Sequence, residues 1–280
     1  MSELLKDAYD LHVHTGPDVV ARKCSDLELA NRMRAAGMAG GVLKSHYLDT
    51  AGRAGLLNEL YPDLNIVGGI VLNRSVGGNN PWAVERSAQA GGRMLWFATL
   101  EARAYPEYHQ RNNPVKQDLS SYITVVDEKG RLLPEVLDVL DVAAKYHLVT
   151  GTGHVSAEEG MLLVREGQRR GVQMVVTHSE LPSNLYSNEQ LAEAVRLGAV
   201  VEHSYITPYT DRVTWDALAE MIRTTGCENV FLSTDLGQPK NPYFDEGLEA
   251  FAIELMKQGF SEDDINMMIK TVPARLIAGN

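Results

Sequence analysis

Asp10-Leu11-His12-Val13-His14 holds the first residues of this chain whose types and spacing suit chemistry. The stretch alternates polar and apolar residues, the period of a β-strand. Residues two apart on a strand share a face, so His12 and His14 project together. Two imidazoles on one face form half of a metal site, and Asp10 is expected to hold a ring nitrogen. A single histidine on a strand is ordinarily a packed or surface residue. The pair gains weight because His and Asp recur later: His154, His178 and Asp235 each follow an apolar run. Nitrogen and oxygen ligands without cysteine suit zinc first, with manganese, iron or nickel also suited, as one or two divalent ions.

The elements that must carry these residues are short apolar runs alternating with helical patterns. The first strand covers about 8–14, and the second covers 41–44, ending at Lys44 and followed by Ser45 and His46. The third is 65–72, and the fourth, 94–100, ends at Glu101. Strands five to eight end at His154, His178, His203 and Asp235. Ser25-Asp26-Leu27-Glu28 and Ser156-Ala157-Glu158-Glu159 read as capping boxes, and Asn80-Pro81 as an N-cap with Pro at the first helical position. Two helices close the chain, at about 243–258 and 262–277.

Eight strand–helix units in this length predict an α/β fold of the (β/α)8 TIM-barrel kind, with residues 1–280 as one domain. Near-continuous apolar strands agree with burial on both faces. A doubly wound open sheet would not bring the ends of strands one, five, six and eight together; a closed barrel does, at its C-terminal face. Residues 102–133 are longer than an ordinary connection and predict a lid or substrate wall after strand four. Within them, 122–126 and 131–133 read as a hairpin turning through Glu128-Lys129-Gly130.

Composition narrows the function. Hydrophobic residues make up 44% of the 280, enough for a large core, and the net charge is -11. That charge argues against general nucleic-acid binding. Cys24 and Cys227 are the only cysteines and stand far apart, which fits a reducing cytosol rather than a disulfide framework. Met1 to Asp7 carries no apolar signal core, and no apolar run approaches the ~20 residues of a membrane span. A cytoplasmic protein acting on a small molecule, without membrane or nucleic-acid partners, is expected. Loop Tyr and Trp residues leave a homo-oligomer open.

H-x-H on strand one, His on strands five and six and Asp on strand eight resemble the amidohydrolase superfamily of metal-dependent hydrolases. The tail Thr271-Val272-Pro273-Ala274-Arg275-Leu276-Ile277 is similar to the N-P-A-x-x-L segment that often ends those barrels, with Val272 in place of Asn. The resemblance implies that His12, His14 and Asp235 hold one metal. His154 and His178 would hold a second, or one of them would complete a single-metal site. Asp235 would also be the general base toward a metal-activated water. Many two-metal members bridge their ions with a carboxylated lysine ending strand four. This chain has Glu101 there, and Lys44 ends strand two instead. Both are candidate bridges, Lys44 the preferred one, since a bare cation ending an apolar strand is costly to bury.

His203 is expected to bind substrate or donate a proton. His46 lies two residues from Lys44 and so is expected on the substrate side. Arg103 and Arg212, in loops of the same face, suggest an anionic substrate. Hydrolysis of an amide, lactone or ester bond follows from this set. A phosphoesterase of the PHP type also opens on D-x-H-x-H, but its barrel has seven strands. A lyase, a decarboxylase or a non-catalytic metal-binding member of the same fold is the other alternative.

Overall fold

A computed structural model describes residues 3–115 and 118–277. Among the described residues nine parallel strand segments form two ladders. The first ladder joins β1 (Tyr9–His14), β2 (Gly40–Lys44) and β3 (Asn65–Val67). The second runs in chain order through β4 (Gly69–Val71), β5 (Met94–Trp96), β6 (Val149–Gly151), β7 (Gln173–Val176), β8 (Val200–Ser204) and β9 (Val230–Ser233).

The strand expected over 65–72 is thus broken in two at Gly68. The chain passes close to Thr50 at the break, where no side chain fits: a Cβ at Gly68 would lie 2.4 Å from the backbone oxygen of Thr50. Thr50 clamps the break, since its N–H donates to Gly69 O and its hydroxyl accepts from Gly69 N. Beyond β9 the chain closes onto β1. Asp235 N donates to His12 O at 2.9 Å and His14 N donates to Leu236 O at 2.8 Å. Counting β3 and β4 as one stave, the ring has the eight staves that the sequence predicts.

Helices wrap this ring, and their ends follow local chemistry. Ser25 Oγ accepts from Glu28 N to start the helix Asp26–Ala36, which Gly37 ends in a left-handed conformation, φ 74°. Ser156 and Glu159 form the expected reciprocal capping box, and Ser187 with Gln190 forms another. Asn80 caps the helix Pro81–Gln89. The last predicted helix is three pieces: Glu262–Asn266, a wide π-turn over Met267–Thr271, and Val272–Ile277. The wide turn sits just before Pro273, which has no N–H to continue the α ladder.

Two apolar layers result. One lies between the staves and the helices. The other fills the barrel, where Leu11, Val71, Trp96 and Phe231 meet Val272 and Leu276 from the final helix, which plugs one mouth. The opposite mouth, at the strand C-termini, carries the polar residues. The segment after β5 contributes a helix, Ala104–Gln110, which the sequence reading did not anticipate. It also makes the turn before Gly130, with Val126 bridged to Leu132 as the hairpin requires. Among the described residues no helix is long and apolar enough to cross a membrane.

Candidate metal centre

The C-terminal mouth gathers side chains from six staves. β1 bulges between Asp10 and Val13, so the strict alternation of its faces is lost. His12 and His14 still face the mouth, but Asp10 does not reach a ring nitrogen. Its carboxylate accepts from His12 N, Thr234 N and the Thr234 hydroxyl, and so ties β1 to β9. Burial lifts the Asp10 carboxyl to about 7 despite those hydrogen bonds.

The ring nitrogen is held by Glu202 instead. Its Oε1 lies 2.6 Å from His12 Nδ1, and both residues are buried. Glu202 is a residue that the sequence reading missed in favour of His203. The two are neighbours on β8, so they face opposite sides of the pleat. Val200 and Glu202 point into the barrel, whereas Val201 packs in the outer layer. His203 shares the outer face, fully buried, with Nδ1 2.9 Å from Glu180. The expectation that His203 meets substrate is therefore corrected: it braces the loop after β7 from behind. An acidic residue inside the apolar run 199–203 was the available signal for Glu202.

Around His12 the predicted ligands converge. His12 Nε2 is 3.1 Å from Asp235 Oδ1, His14 Nε2 is 3.0 Å from the same oxygen, and His178 Nε2 is 3.6 Å from Oδ2. Donor atoms of His12, His178 and Asp235 all lie within 4.8 Å of one another. His178 thus joins His12 and Asp235 in the tightest set, rather than pairing with His154 alone. The His154 ring stands 5.3 Å from that of His178. Lys44 is also present, fully buried, with Nζ 2.9 Å from His12 Nε2 and 4.9 Å above the Trp96 ring.

His178 and Asp235 both take positive φ, 48° and 52°, a region that non-glycine residues seldom occupy. Their neighbours hold them there. Asn184 Nδ2 donates to the carbonyls of Thr177 and His178, and Gln238 Nε2 donates to Asp235 O.

Charge is arranged around Asp235. Burial alone would raise its pKa, but the charge of His12 and the hydrogen bonds from His12 and His14 outweigh it. The carboxylate is held well below the usual range. Glu202 is brought to about 2 by the charge and hydrogen bond of His12, again against burial. Burial takes the Lys44 amine down to about 8, partly offset by Asp235 and Glu202, and takes His14 down to about 4.

The donor set fits a divalent metal. With an ion bound, His12 would be neutral, its Nδ1 proton given to Glu202 and its Nε2 lone pair, now 2.9 Å from Lys44 Nζ, turned to the metal. Both ring nitrogens of His154 and Nδ1 of His178 are buried without a hydrogen-bond partner among the described residues. Buried polar groups are ordinarily satisfied, and imidazole nitrogens are of the donor type that divalent metals take.

A cleft of about 170 Å³ opens above this centre, lined by His46, Tyr105, His154, His178, Arg212 and Asp235 among others. A second hollow of about 320 Å³ adjoins it through Tyr105, Leu181 and Arg212, with Tyr108 and His109 on its far wall. Arg212 is exposed at the junction of the two hollows. Glu101 Oε2 accepts from Arg74 N at 2.6 Å at a half-exposed position, and Glu101 is not in the group that His12, His178 and Asp235 form. Arg103 reaches the hydroxyl of Thr124 and ties down the inserted segment rather than lining the cleft.

A model of DUF6282, a family of unknown function, matches residues 7–202. The chain belongs to this family. The matched stretch carries His12, His14, Lys44, His154, His178 and Glu202 and ends before Asp235. No curated protein matches the chain. Among solved structures, this chain is similar to many, of which three are given. One is a probable 2-pyrone-4,6-dicarboxylic acid hydrolase from Acinetobacter baumannii, at 11% identity over 98% of this chain and 100% of the other, with a TM-score of 0.65. The second is an amidohydrolase from Pseudomonas aeruginosa, at 14% identity, 98% and 97% coverage and a TM-score of 0.57. The third is 2,6-dihydroxybenzoate decarboxylase from Rhizobium, at 12% identity, 97% and 98% coverage and a TM-score of 0.57. At such identities the likeness is one of fold, and the fold is the amidohydrolase-type barrel that the sequence predicts.

Proposed function

We propose that this DUF6282 protein is a metal-dependent hydrolase that cleaves an amide, lactone or ester bond in a small anionic molecule. The observation that supports the reading most is the meeting of His12, His178 and Asp235 at one point, with Glu202 behind His12. These three residues would hold one divalent ion, zinc first by donor type, with His14 beside them. Such an ion acidifies water and polarises the bond under attack. Asp235 stays ionised at neutral pH, accepts the proton of the attacking water, and returns it to the leaving group. Lys44, as a carbamate, would add oxygen donors and let His154 share a second ion. As a free ammonium it would face the substrate's negative charge instead. Arg212 at the cleft junction favours a carboxylate on the substrate.

The fold also carries a decarboxylase among the solved structures, so the test reads both products. The metal-loaded protein is offered a panel of carboxylated lactones, esters and amides, with acid release and carbon dioxide followed together. Acid release abolished by a chelator and by Asp235→Asn is the expected result. Carbon dioxide release instead would make the protein a decarboxylase. Turnover that survives both chelator and Asp235→Asn would overturn the role given to this centre.

A further inference from the structure

We propose that His46 supplies a fixed Nε2–H donor to the oxyanion formed in this cleft, through a tautomer set by a buried Asn73–Thr99 relay; this rests on the hydrolase reading. The relay starts at Asn73, which is buried. Its Oδ1 accepts from Thr99 N at 2.9 Å, which fixes which end of the amide is oxygen. Nδ2 then donates twice, to His46 O and to Thr99 Oγ1, each at 2.9 Å. Thr99 is fully buried, and its hydroxyl, having accepted from Asn73, still carries a proton to place. Among the described residues the acceptor within its reach is His46 Nδ1, at 2.9 Å. If Nδ1 carried the proton instead, the Thr99 hydroxyl hydrogen would be a buried donor with no partner.

Nδ1 is therefore the acceptor, and the ring keeps its proton on Nε2. Among the described residues no protein group takes a hydrogen bond from that nitrogen, and the ring lines the cleft that Asp235 and His178 also line. Stacking on His14, with centroids 4.6 Å apart and planes 30° apart, sets the orientation of the ring. A donor locked in place before reaction stabilises developing charge without reorganising.

In the reaction, the water oxygen bonds to the carbonyl carbon while the C=O π pair moves onto oxygen, which the Nε2–H of His46 then bonds. The water proton goes to Asp235. On collapse the C=O re-forms, the bond to the leaving group breaks, and the leaving group takes the proton from Asp235. His46 keeps its own proton throughout. It is a hydrogen-bond donor in this scheme and not the general acid.

The test is nuclear magnetic resonance of the full chain labelled with 15N-histidine, with His46→Gln to assign the signal. Long-range proton–nitrogen correlations should show His46 protonated at Nε2 and bare at Nδ1. Protonation at Nδ1 overturns the proposal. Thr99→Val should release this preference and Thr99→Ser restore it. An unchanged tautomer in Thr99→Val overturns the relay. Inorganic phosphate serves as the oxyanion probe. His46→Gln, which keeps an N–H near Nε2, should bind it about as wild type does, and His46→Leu about tenfold more weakly. Equal binding by His46→Leu overturns the donor role. None of these readouts needs turnover, so a protein that hydrolyses nothing yet gives these results fails the hydrolase reading alone.

Discussion

Replacing Glu202 by Gln isolates what a buried carboxylate does for His12. The substitution keeps an acceptor where Oε1 now takes hydrogen bonds from His12 Nδ1 at 2.6 Å and Ser233 Oγ at 2.7 Å. It removes the charge, which costs about 1 kcal/mol of hydrogen-bond strength. It also puts an amide NH2 where Oε2 is buried with no partner among the described residues, at about 1–3 kcal/mol more. The fold should therefore lose about 2–4 kcal/mol in urea unfolding of the metal-stripped protein. Metal affinity, read by titration against a chelating dye, should fall about 10–100-fold, because the histidine becomes a weaker and less well-oriented ligand. The pH dependence carries a second signature. Glu202 is held near 2, below its ordinary 4.5, so its stabilisation is complete above 4.5 and is lost as pH falls toward 2. Glu202→Gln should flatten that loss without abolishing it, since Asp235 is depressed too. Unchanged metal affinity in a folded Glu202→Gln protein would refute the claim that Glu202 orients a metal ligand.

Three further substitutions probe the frame. Asp10 is lifted from 3.8 to about 7, so its contribution is full below 3.8 and is lost as pH rises through 7. Asp10→Asn should match wild type at pH 4 and be the more stable at pH 8, by thermal melts of metal-stripped protein; equal melting at pH 8 would count against the buried carboxyl. His203→Asn keeps an N–H toward Glu180 but leaves a void, so urea unfolding should show a loss of about 2–4 kcal/mol with metal content unchanged. Loss of metal would return His203 to the site. Gly68→Ala forces a methyl against the Thr50 carbonyl and should cost about 1–3 kcal/mol in the same assay.

What could be read in the sequence was the part written in local pattern. His12, His14, His154, His178 and Asp235 each sit at or just past an apolar run, so barrel logic alone brings them together. The choice between Glu202 and His203 was not legible, because strands buried on both faces lose the polar–apolar alternation that would say which residue points inward. The place of Asp10 was hidden for a related reason: the β1 bulge breaks the strand's period of two between Asp10 and Val13. The split at Gly68 depends on Thr50, eighteen residues away, and the left-handed backbone of His178 depends on Asn184. Such long-range contacts leave no periodic trace. The helix Ala104–Gln110 was masked by its Pro106, tolerated there because it lies in the first turn.

Binding of a divalent metal at the C-terminal mouth through His12, His178 and Asp235 can be measured by elemental analysis of the purified wild-type protein, with His12→Ala and His178→Ala alongside. One or two equivalents of a divalent ion in wild type, lost or sharply reduced in both variants, is the predicted result. Wild-type protein that holds no metal, and takes up neither zinc nor manganese when they are supplied, would contradict it.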